Sequence, residues 1–177
     1  LPVPGGAVIN LSEDVAGSPF GLKLASITSG LTGATPTQPA GAQPALSLTL
    51  TAALPQHGET ATIRFNLPDG TEEALTLTAR SSAPLGEGEF LIGADENATA
   101  TNFQSSLDTA IQKLAGTKLA AASAIQATSE FFTYDAATEP QRVSGPPFNT
   151  ATALVDATSN NTVYWYKGDM DADARGA

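Results

Sequence analysis

Asp169, Asp171 and Asp173, in the run DMDAD, set three carboxylates at alternate positions. Such a run can offer hard oxygen ligands to Ca²⁺, but the helix–loop–helix calcium loop also needs Gly at its sixth position and Glu at its twelfth. Counted from Asp169, the sixth residue is Ala174, and the twelfth falls past Ala177. The run reads as a solvated acidic loop. Glu72 with Glu73, and Glu87 with Glu89, are carboxylate pairs of the kind glycoside hydrolysis uses. Their use depends on separation in space, and no motif places a partner acid beside them. Asp95 and Glu96 stand just ahead of a long helical pattern, where the helix dipole favours them by about 0.3–1 kcal/mol each.

His57 is the only histidine, in the run LPQHGET between two predicted strands. A catalytic histidine needs a serine and a carboxylate beside it, and a solvent-facing loop position is expected instead. One imidazole excludes any site that requires two, and zero cysteines exclude disulfides and thiolate metal sites. The glycines from Gly30 to Gly41 lack the strand–glycine–helix order of a phosphate loop. Asn10, Asn97 and Asn160 each head an N-x-Ser/Thr triplet, which has meaning only in a eukaryotic secretory setting. Tyr164, Trp165 and Tyr166 could form a carbohydrate platform. Alternate strand residues face opposite ways, so at most two of the three share a face, and core packing is the default. No catalytic, cofactor-binding or metal-ligating residue is expected, and no enzymatic activity.

The elements that would carry these residues follow from periodicity. Gly21–Thr28, Ala45–Ala52, Thr60–Leu67 and Glu72–Ala79 alternate apolar and polar residues as half-buried strands do. Pro68-Asp69-Gly70 is turn chemistry joining the last two as a hairpin. Glu89–Ile92 reads as a short strand. Gly30–Pro44, rich in Pro and Gly, reads as a loop. Phe103, Leu107, Ile111 and Leu114 form one helical stripe. The spacing predicts a helix from about Ala98 to Ala115, capped by Asn97, Thr99 or Thr101 and stopped by Gly116. Ala-rich Leu119–Phe132 predicts a second helix. Asn149 or Thr150 would cap a short third one through Asp156, and Thr162–Tyr166 a last strand. The class is α+β: a mainly antiparallel sheet with hairpins, packed against two or three helices.

The 177 residues suffice for one domain or two small ones, and such a chain can hold a core without staples. Eight Lys and Arg stand against 18 Asp and Glu, a net charge of −10. Such a surface repels nucleic acid and anionic lipid. No apolar run is long enough for a membrane helix. Charged residues make up only 15% of the chain, and the abundance of Ala, Thr, Ser and Gly suits extracellular or assembled proteins. The start LPVPGGAVINLSEDV has no signal-like block. Both ends read as cut edges of a longer chain.

Three stretches carry a resemblance. They are PFGLKLASITSGLTGA from Pro19, FLIGADENATATNFQSSLDTAIQKLAGTKLAAASAIQATSEFF from Phe90, and PQRVSGPPFNTATALVDATSNNTVYWYKGD from Pro140. Through them the whole chain resembles the variable outer region of bacterial flagellins and of the related hook-filament junction proteins. The resemblance implies a single inserted, surface-exposed outer domain over 1–177, in a longer chain whose terminal coiled-coil core regions are absent here. It implies a structural, non-catalytic component of the bacterial flagellum, extracellular, that meets other flagellar subunits through those missing regions. The segment itself would be monomeric and free of cofactor, nucleic acid and membrane. Lack of cysteine agrees with export of such subunits through a narrow channel in the unfolded state. An alternative is a surface adhesin or phage-tail-like binding module. A carboxylate-dependent hydrolase is a more distant one.

Overall fold

The computed structural model describes residues 6–132, 141–158 and 160. Among them are nine strands and one long helix. β1 (Gly6–Ser12), β4 (Ala45–Thr51) and β3 (Ala34–Ala40) form an antiparallel sheet in that spatial order. β2 (Lys23–Ser29), β5 (Thr60–Asn66), β6 (Glu72–Arg80) and β7 (Glu89–Leu91) form a second sheet. Its pairs are antiparallel except β7, which runs parallel to β6. The expected α+β class and mainly antiparallel sheet hold.

Period-two alternation decides which faces meet. Leu46, Leu48 and Leu50 of β4 point inward, as do Ala61, Ile63 and Phe65 of β5. Ala7 and Ile9 of β1 and Leu77 and Ala79 of β6 join the same hydrophobic cluster. The turn at Pro68–Gly70 closes as the composition predicts: Leu67 N–H donates to Thr71 O at 2.8 Å and Gly70 N–H to Leu67 O at 3.0 Å.

The helix is one continuous run rather than two or three. α1 (Glu96–Leu114) passes through a π-helical turn (Ala115–Leu119) into α2 (Ala120–Phe132). Gly116 does not stop it: five residues with a wider hydrogen-bond spacing carry the chain through, and the alanines beyond resume the α form. The cap also differs from expectation. Asp95, in extended backbone, accepts from Ala98 N–H at 2.7 Å, so the helix starts at Glu96. Asn97, Thr99 and Thr101 lie inside it. The expected third helix is instead a single 3-10 turn (Phe148–Thr150) followed by β9 (Leu154–Asp156), which pairs with β8 (Gln141–Val143). Thr162–Tyr166 lies outside the described residues.

Two strands stand where none was expected, and β3 replaces part of the expected Gly30–Pro44 loop. β1 has too few alternating residues to stand out. β3 holds Pro36 and Pro39, which cannot donate to a ladder and are tolerated only at edges and bulges. β3 is such an edge. It pairs with β4 alone, and its register shifts between Thr37 and Ala40. Within that shift the Gln38 side chain crosses to β2. It donates to Ile27 O at 2.6 Å and accepts from Ile27 N–H at 3.1 Å. One carboxamide thus does for Ile27, 1% exposed, what a neighbouring strand would do. Gln38→Ala is expected to cost about 1–3 kcal/mol by orphaning these groups. Urea denaturation should show a lower midpoint at unchanged slope; an unaltered midpoint would mean water serves Ile27 equally well.

α1 closes the other side, packing on β1, β4, β6 and β7. Its stripe of Phe103, Leu107 and Leu114 is buried in the cluster, with Ile111 partly buried beside it. A second, polar row on the same helix covers the edge of β7. Asn102 Nδ2 donates to Leu91 O and Ser106 Oγ to Glu89 O, both at 2.9 Å. Thr99, fully buried, accepts from Gly93 N–H at 2.9 Å and donates to Asp95 O at 2.8 Å. Side chains at helical spacing therefore occupy a strand edge that would otherwise invite pairing with another chain.

Candidate functional site

The carboxylates singled out in the sequence do not converge. Glu72 pairs with Arg64 at 2.6 Å, and Glu73 with Lys118 at 3.2 Å. Glu87 pairs with Lys113 at 2.6 Å. Glu89 takes both Arg80 Nη2 and Nε, the latter at 2.7 Å, and accepts from Gly86 N–H at 2.7 Å. Four acids thus meet four separate cations, and the two nominal pairs are split between partners. Asp95 caps the helix, and Glu96 sits in its first turn. Among the described residues no group of three or more His, Asp or Glu could hold a metal ion. No helix there is long and apolar enough to cross a membrane. Asp169, Asp171, Asp173, Tyr164, Trp165 and Tyr166 lie outside the described residues.

His57 is exposed, as its loop position predicts. It does have a serine nearby: Nδ1 lies 3.2 Å from Ser81 Oγ. On the far side of the ring, however, Nε2 faces Arg80 Nη1 at 3.3 Å. A triad needs a carboxylate there to orient and stabilise the imidazolium. A guanidinium occupies the place, and Arg80 is committed to Glu89. The group acts as a clasp between the β4–β5 and β6–β7 loops. Of the Asn triplets, Asn10 lies exposed in β1, Asn97 in the first turn of α1, and Asn160 is exposed. The triplet hydroxyl of Asn97 is that of buried, doubly bonded Thr99.

Two structural carboxylates carry no sequence signal, because their partners come from distant segments. Glu13, buried after β1, accepts from Lys23 Nζ at 2.9 Å and Leu24 N–H at 3.0 Å. Its own N–H donates to Pro44 O at 3.0 Å, and Gln43 Nε2 donates to its carbonyl. Glu59 accepts from Thr32 N–H and Oγ1, each at 2.7 Å, and from Gln56 N–H at 2.8 Å.

The donors around Glu59, first the Thr32 N–H and then the Gln56 N–H and Thr32 hydroxyl, hold its carboxyl below the usual range. Arg80, then the Gly86 N–H, does the same for Glu89, and the Thr71 hydroxyl and N–H for Asp69. In each case the folded chain binds the proton more weakly than the unfolded one. The stabilisation is therefore complete above the unfolded carboxyl values, near about pH 4, and is lost as pH falls through the lower folded values. Urea midpoints should be level at neutral pH and fall in acid. Glu59→Gln should make the acid limb shallower; an identical limb would remove Glu59 from the set.

Concave features of ligand size include one beside α2. A groove of about 360 Å³ runs between α2, the Pro68 turn and the β8–β9 hairpin, with Phe20, Pro68, Ala127, Val143 and Leu154 among its lining. It holds no acid among those lining residues, and Arg142 is its only cation. Its described walls could hold an apolar group, and among the described lining residues there is no base paired with a nucleophile.

No family model matches the chain, and no curated protein or solved structure is significantly similar to it.

Proposed function

We propose that this chain is a structural outer domain of a flagellin or hook-filament junction protein, displayed extracellularly on the bacterial flagellum and without catalysis. The observation that carries the reading is the build of the stretch from Phe90 onward, which bears the strongest resemblance. It forms one packing unit: Phe90 of β7 meets Phe103 of α1 edge to face, with ring centroids 5.1 Å apart. The polar row from Thr99 to Ser106 then seals the strand edge. A sealed edge suits a domain repeated many times at close spacing. So does a net charge of −10, which makes neighbouring copies repel within a Debye length of about 8 Å at physiological salt. In this reading, filament contacts come from flanking helices, and the domain faces solvent.

Antibodies against the folded chain should decorate filaments or the hook–filament junction along their outer surface in electron micrographs. Labelling confined to the cell body or to no flagellar structure would overturn the reading. Light scattering of the chain alone should report a monomer.

The groove beside α2 favours a second reading, a surface adhesin or phage-tail-like binding module. Specific retention on a glycan array, abolished by Leu154→Asp in the groove, would select it.

A further inference from the structure

The π turn and the exposure of Ile125 point to the same feature. In an unbroken α-helix, residues four, seven and eleven past Leu114 return to within about 40° of it. Those residues are Lys118, Ala121 and Ile125. A continuous α form would therefore carry the stripe of Phe103, Leu107 and Leu114 on through Ala121 and Ile125. The structure does otherwise. Ile125 is 59% exposed, while Ala122 is 2% exposed, and Leu119 and Gln126 are half-buried. Leu119, Ala122 and Gln126 thus fall one residue later than Lys118, Ala121 and Ile125, the positions the α1 stripe dictates. The π turn is the cause, since its wider ring takes in one extra residue and turns all that follows by about 100°.

We propose that this turn is a register switch. α2 has a second seat in which the helix is α throughout, Ala121 and Ile125 face inward, and Ala122 turns outward. An ion pair helps to hold the present seat. Lys118 points to the flank of β6 and pairs with Glu73 at 3.2 Å, an exposed pair that is weak in water. Gly116 has no atom within 4 Å of where a Cβ would stand, so packing does not pin the turn. The apolar gain of the second seat is the burial of Ile125. Its cost includes the Lys118–Glu73 contact and a turned lysine. The switch changes which face of α2 lines the groove and which meets solvent.

The chain has no cysteine, so single-cysteine probes report one position each. Ile125→Cys and Ala122→Cys are made separately in the full chain, and their alkylation rates measured. Each is then combined with Lys118→Leu, which removes the ion pair and suits the inward position of the second seat. The expected result is reciprocal: the Ile125→Cys thiol slows and the Ala122→Cys thiol quickens, each by about tenfold, as exposure governs thiol access. Deleting Gly116 gives the reference rates of the turned seat. Unfolding would quicken both probes, so it cannot mimic the pattern. If Lys118→Leu leaves both rates unchanged, or quickens both, the switch is overturned, whatever the deletion does.

Discussion

Phe103→Ala is expected to lower the unfolding free energy by about 3–5 kcal/mol, the range for a large buried ring removed from a core. Phe103 is 1% exposed and stands where α1 meets β7. Its ring approaches Phe90, 0% exposed, at an interplanar angle of 71°, and such edge-to-face pairs add about 0.5–1.5 kcal/mol beyond their area. The loss reaches past the ring itself. α1 packs on an outer strand of each sheet, β1 and β7, so a cavity at its anchor loosens both. Against a typical total of about 5–15 kcal/mol, this single change should leave the chain marginal. Phe103→Leu, which refills most of the volume, should cost less than half as much. Urea unfolding followed by far-ultraviolet circular dichroism reads both. A loss under about 1 kcal/mol for the alanine variant, the size of an average substitution, would mean the helix is seated through other contacts.

Gly33→Ala is the second large effect. Gly33 leads into β3 with φ +70, and a Cβ there would stand 1.8 Å from the carbonyl oxygen of Ala53 and 2.8 Å from Thr51 Oγ1. The carbonyl is backbone and cannot swing aside, while Thr51 N–H is already bonded to Gly33 O at 2.9 Å. The left-handed backbone costs an alanine about 1–2 kcal/mol, and forced overpacking adds about 1–3 kcal/mol. Gly70→Ala separates the two contributions. It has φ +81 but nothing within 4 Å of its Cβ position, so it bears the backbone cost alone. Gly33→Ala should be clearly the worse of the two; equal losses would show that the Ala53 strand end yields freely.

Strands with clean alternation were legible to within a residue or two. Leu46, Leu48 and Leu50, or Ile63 and Phe65, can face one side only as a strand. β3 was hidden because Pro36 and Pro39 argue against a ladder unless the edge is known in advance. Its link across to β2 runs through its own Gln38 side chain, which no propensity encodes. The helix stripe was legible, but its continuity was not. Glycine after Leu114 is a stop signal in isolation, and the π turn exists because both flanks are good helix formers. Asp95 as cap was open to reading, since an acid ahead of a helix serves both dipole and cap; the nearby Asn and Thr residues obscured it. For the site, exposure of His57 followed from its loop. The pairing of each acid with its own cation did not, since Arg64, Arg80, Lys113 and Lys118 reach their partners only through the assembled sheet. Glu13 and Glu59 were silent for the same reason.

The join at Gln38 has a mechanical corollary. On either side of it, whole ladders hold each leaf of the wall together, while between β3 and β2 a side-chain amide stands where a ladder would, with the shared core and α1 behind it. Drag that pulls β3 away from β2 meets one amide there in place of a ladder, so that seam opens with the internal weave of each leaf intact.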